Sequence, residues 1–520
     1  MKPARSPWPP GPAPMPILLG FVAGIGASMA LAATYWDDAW HTDKGRDEFA
    51  IPPHLLLYGG VLVTSLSVLG WAIRSWRTAG PGRLRAMTSD PALLIAGIGG
   101  FTTLVSAPID NAWHALYGRD AVIWSPPHLL AVAGTLGLSA GVLAGLRSSV
   151  GAGGNVARLF AAAGVIGALQ APVLEYDSDV PQFSTLWYLP VATFGLCVAL
   201  ALIDDLWPGR WRPLQAAALY TVMRSLVAVA LPAWGFSGSS VPPLVLPVAV
   251  AAAASRLPLR LRLLVVGAIT PLLWWPAVRL QEDLATRVPL DQLPAATILA
   301  VVGAAVVGWF HGDWMISKRG RTVAIQAALL LALPIAVLGV APGRAWAHDP
   351  GQGEERSVGL LTVKRAVGQA SVELRIPGSC NGLKPTRSVA RRAGVVLTGS
   401  LRSEAGSGSS CRFVGHISGL REGRWFIYVE LRDSSGREVE GWLPSVEGSA
   451  ITAQRSLYEP PPVESTLGRD VAGAVMLLAV AGLIIACLRL SRGTVPLSDE
   501  PGSRGAISSY SRPPSGRRGR

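Results

Sequence analysis

Residues 16–36 read PILLGFVAGIGASMALAATYW, an apolar run without a single Asp, Glu, Lys or Arg. A helix of about 20 apolar residues is long enough to cross the hydrocarbon core of a bilayer. Comparable runs recur along most of the 520 residues, of which 50% are hydrophobic and only 15% are charged. The sequence therefore predicts an all-α polytopic membrane protein, because soluble domains carry a larger share of charged residues.

About twelve transmembrane helices are predicted from these runs. They cover residues 16–36, 54–76, 91–114, 127–147, 157–175, 187–205, 213–232, 242–255, 259–278, 293–310, 322–342 and 470–488. Loops rich in Lys and Arg near span ends stay in the cytoplasm, so we expect both termini on that side of a bacterial plasma membrane. These loops and a basic tail account for the net charge of +13, and no nucleic-acid partner is expected.

The composition also divides the chain into segments. They are a cytoplasmic N-terminus (1–15), a four-helix membrane region with two polar hairpins (16–150), further transmembrane helices (151–342), an extracytoplasmic β domain (343–468), a C-terminal transmembrane helix (469–490) and a basic, disordered cytoplasmic tail (491–520).

The β domain is predicted from alternating runs such as WFIYVELRD at 425–433, in which successive side chains point to opposite faces of a strand. We interpret it as β-sandwich-like. Cys380 and Cys411 lie on the expected oxidising side of the membrane, so we predict a disulfide between them. The apolar run before the domain, within residues 322–347, has the order of regions of a signal peptide, and cleavage would expose His348. We favour an uncleaved eleventh span followed by a loop, with cleavage as the alternative.

Two similar polar segments interrupt the apolar chain: DDAWHTDKGRDEFAIPPH at 37–54 and DNAWHALYGRDAVIWSPPH at 110–128. Each places an Asp four residues before a His at the expected end of a helix, a spacing that puts both side chains on one helix face. A Pro-Pro-His sequence then begins the next helix. Each hairpin is therefore predicted to direct one carboxylate and two imidazoles toward one point: Asp37, His41 and His54 in the first copy, and Asp110, His114 and His128 in the second.

One carboxylate and two imidazoles can hold a divalent transition metal with coordination positions left open, and imidazole suits copper, zinc or iron. The competing interpretation is that these are polar anchors at span ends, where Asp, His and Trp are common. Four of the seven histidines occupy the equivalent positions of the two copies, which favours a ligand set over an anchor. An acid-rich stretch, EYDSDVPQ at 175–182, is interpreted as a charged surface loop.

The hairpins resemble the copper sites of the C subunit of particulate methane and ammonia monooxygenases, over residues 16–150. The first site of that subunit is matched by Asp37, Trp40, His41, Arg46, Asp47, Phe49, Pro52 and His54. The second is matched by His114 and His128, whereas Asp110 stands where the family has Asn. The resemblance implies copper at both sites, with zinc or iron as alternatives. It also implies further monooxygenase-like subunits as partners within the lipid bilayer.

Two functions remain open from the sequence. The protein is either part of a copper-dependent membrane monooxygenase or a membrane protein for copper acquisition, storage or delivery without oxygenase activity, in which case a copper chaperone is the expected partner. A purely structural metal is a third use. Catalytic residues, substrate and reductant are not indicated by any motif, and no haem, flavin or iron–sulfur signature is visible in the sequence.

Overall fold

The computed structural model describes residues 14–44, 49–79, 83–88, 90–117, 123–281, 284–311, 354–378, 380, 382–404, 410–459 and 467–490. In this part of the chain the α-helices are α1 (Ile17–Asp43), α2 (Pro52–Thr78), α3 (Arg83–Thr88), α4 (Pro91–Tyr117), α5 (Pro126–Gly145), α6 (Gly151–Gln170), α7 (Leu174–Asp177), α8 (Tyr188–Leu206), α9 (Arg212–Ala233), α10 (Val245–Ala253), α11 (Leu259–Arg279), α12 (Leu293–His311) and α13 (Leu467–Leu490). Short 3-10 helices at Ala171–Val173, Thr185–Trp187 and Leu290–Gln292 extend three of them.

Among the described residues, ten helical stretches are long and apolar enough to cross a membrane, which confirms a multi-pass membrane protein. The predicted count of twelve differs for two reasons. The run 242–255 forms only the nine-residue α10, which is too short to span a bilayer. The helix is short because Pro242 and Pro243 precede it and a turn follows it. The predicted span 322–342 lies outside the described residues.

Close helix crossings build the two N-terminal hairpins. A Cβ added to Gly26 of α1 would lie 2.5 Å from the carbonyl oxygen of Gly60 in α2, and one added to Gly99 of α4 would lie 2.6 Å from the carbonyl oxygen of Gly134 in α5. Small residues at such crossings let two backbones approach, which is how helices associate in membranes. These contacts fix the hairpins whose ends carry the two polar repeats.

The C-terminal β domain is a closed antiparallel barrel of eight strands, not the sandwich expected from the sequence. Its strands are β1 (Glu354–Ala366), β2 (Gln369–Pro377), β3 (Lys384–Arg392), β4 (Val395–Glu404), β5 (Ser410–Ser418), β6 (Trp425–Arg432), β7 (Glu438–Ser445) and β8 (Ala450–Glu459). The order around the barrel is β1-β2-β5-β4-β3-β6-β7-β8. The 13-residue β1 pairs with β2 along one edge and with β8 along the other, and this double pairing closes the sheet.

Strand β6 is buried on both of its faces. Its alternate residues Trp425, Ile427 and Val429 belong to the apolar barrel core, whereas Phe426 and Tyr428 belong to a second buried cluster outside it. Both faces of this strand are therefore buried, so the strand has no solvent face.

The predicted disulfide between the two barrel cysteines, 31 residues apart, is present.

The barrel packs on residues 173–183, here called the crossover segment, which are buried throughout. Asp179 of this segment has a φ of 55°, a left-handed conformation that Asp tolerates better than most residues. Its Oδ1 lies 2.6 Å from Nη2 of Arg392, and its Oδ2 accepts a 2.7 Å hydrogen bond from the backbone N–H of Arg424. The prediction that EYDSDVPQ is a surface loop was wrong, because all of its residues are buried.

Candidate metal centre

The first hairpin brings its three predicted ligands together. Oδ1 of Asp37 lies 3.6 Å from Nε2 of His41 and 3.1 Å from Nε2 of His54. One donor atom from each of the three side chains can be chosen so that all lie within 4.8 Å of one another. Both histidines are buried, and Asp37 is half-buried.

Local structure explains this convergence. Helix α1 continues past Asp37 to Asp43, so the i, i+4 spacing places the side chains of Asp37 and His41 on one face. Helix α2 begins at Pro52 after the extended residue Ile51, and proline at a first turn costs no hydrogen bond. His54 therefore enters from the first turn of the neighbouring helix.

The separations fit a bound transition metal. Nitrogen and oxygen ligands at the usual bond length of roughly 2 Å from a tetrahedral ion lie about 3.3 Å from one another. The measured 3.1 Å and 3.6 Å separations from Asp37 to its two imidazole partners bracket that value. Without an ion the same distances are those of a carboxylate that pairs with histidines, so the geometry is compatible with both a ligand set and a polar anchor.

The second hairpin brings together two of its three predicted ligands. Oδ2 of Asp110 lies 3.3 Å from Nε2 of His128. Ser125 caps helix α5 by accepting a 3.3 Å hydrogen bond from the backbone N–H of His128, which fixes the start of that helix. His114 lies on α4 one turn after Asp110, but its side chain is outside the described part of the chain.

Both hairpins face one cavity of about 250 Å³. Asp37, His54, Asp110 and His128 all contribute to its wall, so the two predicted sites share a chamber. Most of the remaining wall is made of small or apolar side chains from α1, α2, α4, α5 and α6, among them Ala27, Leu31, Val61, Leu104, Val132 and Ala168.

Two buried carboxylates beside this cavity were not selected from the sequence. Asp38 is 2% exposed and lines the cavity next to Asp37. Glu175 is fully buried in the crossover segment, and its Oε1 accepts a 3.0 Å hydrogen bond from the backbone N–H of Ile123 in the second hairpin. The only sequence signal for Glu175 was the density of acids at 175–182, which does not reveal burial.

A buried arginine packs against one of the residues that line this cavity. Arg224 of α9 is fully buried, and its guanidinium carbon lies 3.5 Å from the ring centroid of Tyr35, which lines the cavity. Its Nη2 donates to Oγ of Ser239 at 2.8 Å and to the carbonyl oxygen of Ser240 at 2.6 Å. Burial of an ionisable residue inside a membrane is unfavourable in free energy, and such a residue usually has a defined role. Here Arg224 fixes the position of Tyr35.

The other residues of the resemblance are only partly described. Trp40 stacks on Phe236 with ring centroids 5.9 Å apart, and the half-exposed Phe49 lies 5.3 Å from Tyr58, beside the cavity. Residues 46 and 47 lie outside the described ranges, as does His348, the residue that the alternative cleavage would expose.

Comparisons with family models, with curated proteins and with solved structures find no match to this chain. The resemblance to a monooxygenase C subunit therefore rests on the residues and spacings of the two hairpins alone.

Proposed function

We propose that this protein is a copper-binding integral membrane protein related to the C subunit of particulate methane and ammonia monooxygenases. Asp37, His41 and His54 would hold one ion, and Asp110, His114 and His128 a second. The observation that carries the proposal is the convergence of the first three side chains at the end of a helical hairpin, with donor atoms within 4.8 Å of one another.

The donor set is the reason for choosing copper. Two imidazoles and one carboxylate suit copper, zinc and iron better than magnesium or calcium, which prefer oxygen ligands alone. A structural zinc site usually closes with four protein ligands, whereas three ligands beside a cavity leave a position open. Copper is the ion implied by the resemblance, and zinc and iron are the alternatives.

The cavity supports a role in a copper-dependent oxygenase. When bound, copper would supply a redox-active ion with an open coordination position. The chain's own residues would do the rest: the carboxylates and imidazoles hold the ion, and the small apolar side chains of the chamber exclude water and receive an apolar molecule. We expect further subunits to complete such an enzyme. We also propose that the metal centre and the barrel share the extracytoplasmic side.

Copper handling without oxygenase activity remains the second function. It gains no specific support from the barrel, where His416 is the only histidine between residues 354 and 459. The carboxylates of Glu430, Glu438 and Glu440 can approach one another, but Glu430 already pairs with Arg387 and Arg391 at 2.5 Å and 2.9 Å. Carboxylates that pair with arginine are poor candidates for a copper-collecting site.

Elemental analysis tests the proposal. The full chain is purified in detergent, stripped with a chelator, loaded with copper and desalted before its metal content is measured. We expect about two copper ions per wild-type chain and about one after replacement of His41 and His54, or of His114 and His128, by alanine. The matched control replaces His311 and His416, which lie outside both hairpins, and should retain the wild-type content.

A wild-type protein without copper after loading would end the proposal. Copper binding without oxygen uptake, in the presence of a reductant, apolar substrates and any subunits that copurify, would favour the copper-handling function instead.

A further inference from the structure

A second cavity, of about 590 Å³, lies where the barrel meets the helical bundle, and we call it the junction cavity. Its walls come from the end of the crossover segment, from the connection between α11 and α12, and from the β3–β4 and β5–β6 loops of the barrel. Sites for small molecules usually occupy between about 300 and 1000 Å³, so this space can hold a ligand. The proposed metal ligands do not line it.

Arginine side chains dominate the polar lining of the junction cavity. Two acidic side chains accompany four arginines: the lining includes Asp179 and Glu422 together with Arg279, Arg287, Arg392 and Arg421. Guanidinium groups bind phosphate and carboxylate through paired hydrogen bonds, which a point charge such as Lys does not match. The cavity is therefore suited to an anion.

The arginines differ in how strongly they already interact with other protein groups. Arg392 is fully engaged in such interactions, because its Nη2 lies 2.6 Å from Oδ1 of Asp179 and its Nη1 donates to the carbonyl oxygen of Arg424 at 2.6 Å. Arg287 pairs with Glu422 at 3.2 Å, but the Glu422 side chain is 77% exposed. Exposed pairs of this kind contribute little, so Glu422 is a weak competitor for an incoming anion.

The side chain of Arg279 and the backbone of Arg421 are held in position by their surroundings. The guanidinium of Arg279 lies over the ring of Trp275 at 5.1 Å, and Nε1 of Trp275 donates to the carbonyl oxygen of Val288 at 2.9 Å, which ties this stack to the cavity wall. The carbonyl oxygen of Arg421 accepts a 2.9 Å hydrogen bond from Nε1 of Trp425, which fixes its loop to the barrel. Groups fixed before binding lose less entropy when a ligand arrives.

The junction cavity lies at the ends of three candidate membrane spans. Trp187, Arg279 and Gln292 line it, and each lies at the end of a candidate span where that span reaches the barrel side. Trp at span ends lies at the level of lipid headgroups, and Arg at span ends reaches the same level. We propose that the junction cavity binds the phosphate headgroup of an anionic phospholipid through Arg279 and Arg421, with Arg287 as a third contact.

The test uses the full chain in detergent and titrates it calorimetrically with short-chain phosphatidylglycerol, short-chain phosphatidylcholine and inorganic phosphate in separate experiments. We expect saturable binding of phosphatidylglycerol and at least about tenfold weaker binding of phosphatidylcholine. The double replacement of Arg279→Gln and Arg421→Gln should weaken phosphatidylglycerol binding by about tenfold or more. High salt should weaken the wild-type interaction, because it screens charge.

The matched control is Arg375→Gln with Arg402→Gln, two arginines on other barrel strands with side chains 57% and 76% exposed. The control should bind phosphatidylglycerol within about twofold of wild type. Equal losses in both double variants, or no saturable binding by the wild type, would overturn the proposal. Inorganic phosphate that binds as tightly as phosphatidylglycerol would keep the anion site but assign it to a soluble phosphate. Copper content should stay unchanged in every variant, so this result is independent of the metal centre.

Discussion

The contact between Asp179 and the barrel offers a quantitative test of how the two halves of the protein hold together. We consider the replacement Asp179→Asn. Asn tolerates the left-handed backbone at this position and can still accept the hydrogen bond from the backbone N–H of Arg424. It removes the negative charge that faces Arg392, whose side chain is only 9% exposed. The variant therefore probes the ion pair with little added backbone strain.

The free energy of attachment that Asp179→Asn should remove follows from the burial of the ion pair. Removal of one partner of a buried ion pair usually costs 3–5 kcal/mol, and the retained hydrogen bond places this variant at the lower end, about 3 kcal/mol. A free energy of that size changes an opening equilibrium by about 100-fold. Hydrogen exchange followed by mass spectrometry on the full chain should show faster exchange by about that factor in peptides from the crossover segment and from the β5–β6 loop.

The strands of the barrel core provide the internal reference, since β6 and β7 should exchange at wild-type rates. A matched control is Asp433→Asn in the exposed β6–β7 turn, which should leave the crossover segment unchanged. An Asp179→Asn protein whose crossover segment exchanges at the wild-type rate would refute the reasoning. Equal acceleration in every barrel peptide would also refute it, because the pair would then stabilise the barrel as a whole rather than its attachment.

Three further predictions follow from the same structure. Gly26→Ala should separate α1 from α2 at Gly60 and lower copper binding by the first site, whereas Gly97→Ala, where an added Cβ meets nothing within 4 Å, should bind like wild type in the same metal analysis. Replacement of both barrel cysteines by alanine, which opens a loop with a sequence separation of 31, should destabilise the barrel by about 3.7 kcal/mol in denaturant titrations. Hydrogen bonds, chiefly from the Ser435 side chain, lower the pKa of Asp433 to about 2, so its stabilising contribution should hold above pH 4 and be lost as the pH falls toward 2. Ser435→Ala should move that loss to higher pH in acid unfolding curves.

Much of the helical architecture was predictable because hydropathy is a local property of the chain. The spans through α6 follow directly from apolar runs, and the same applies to the pairing of Asp37 with His41, which one helical turn determines. The approach of His54 was predictable for a related reason, since the short connection between α1 and α2 forces their ends together. The predicted barrel disulfide also followed from the two cysteines and their expected compartment.

Features that depend on distant partners were not predictable. The crossover segment looks like a solvated loop in sequence, and its Asp179 is buried because Arg392 and Arg424, more than 200 residues later, lie against it. Alternation in β6 indicates a strand, but only the double pairing of β1 distinguishes a closed barrel from a sandwich. The shared cavity of the two hairpins likewise depends on how α1, α2, α4, α5 and α6 pack, which no single repeat specifies.

Electron paramagnetic resonance of the copper-loaded full chain tests the central claim most directly, because coordinated imidazole nitrogens couple to the unpaired electron of Cu²⁺. We predict coupling from the two imidazoles of His41 and His54 at the first site, with loss of that signal in the His41→Ala, His54→Ala variant and retention of the second hairpin's signal. Wild-type protein that shows no nitrogen-coupled copper, or a variant whose spectrum matches the wild type, would contradict the assignment of this hairpin as a copper site.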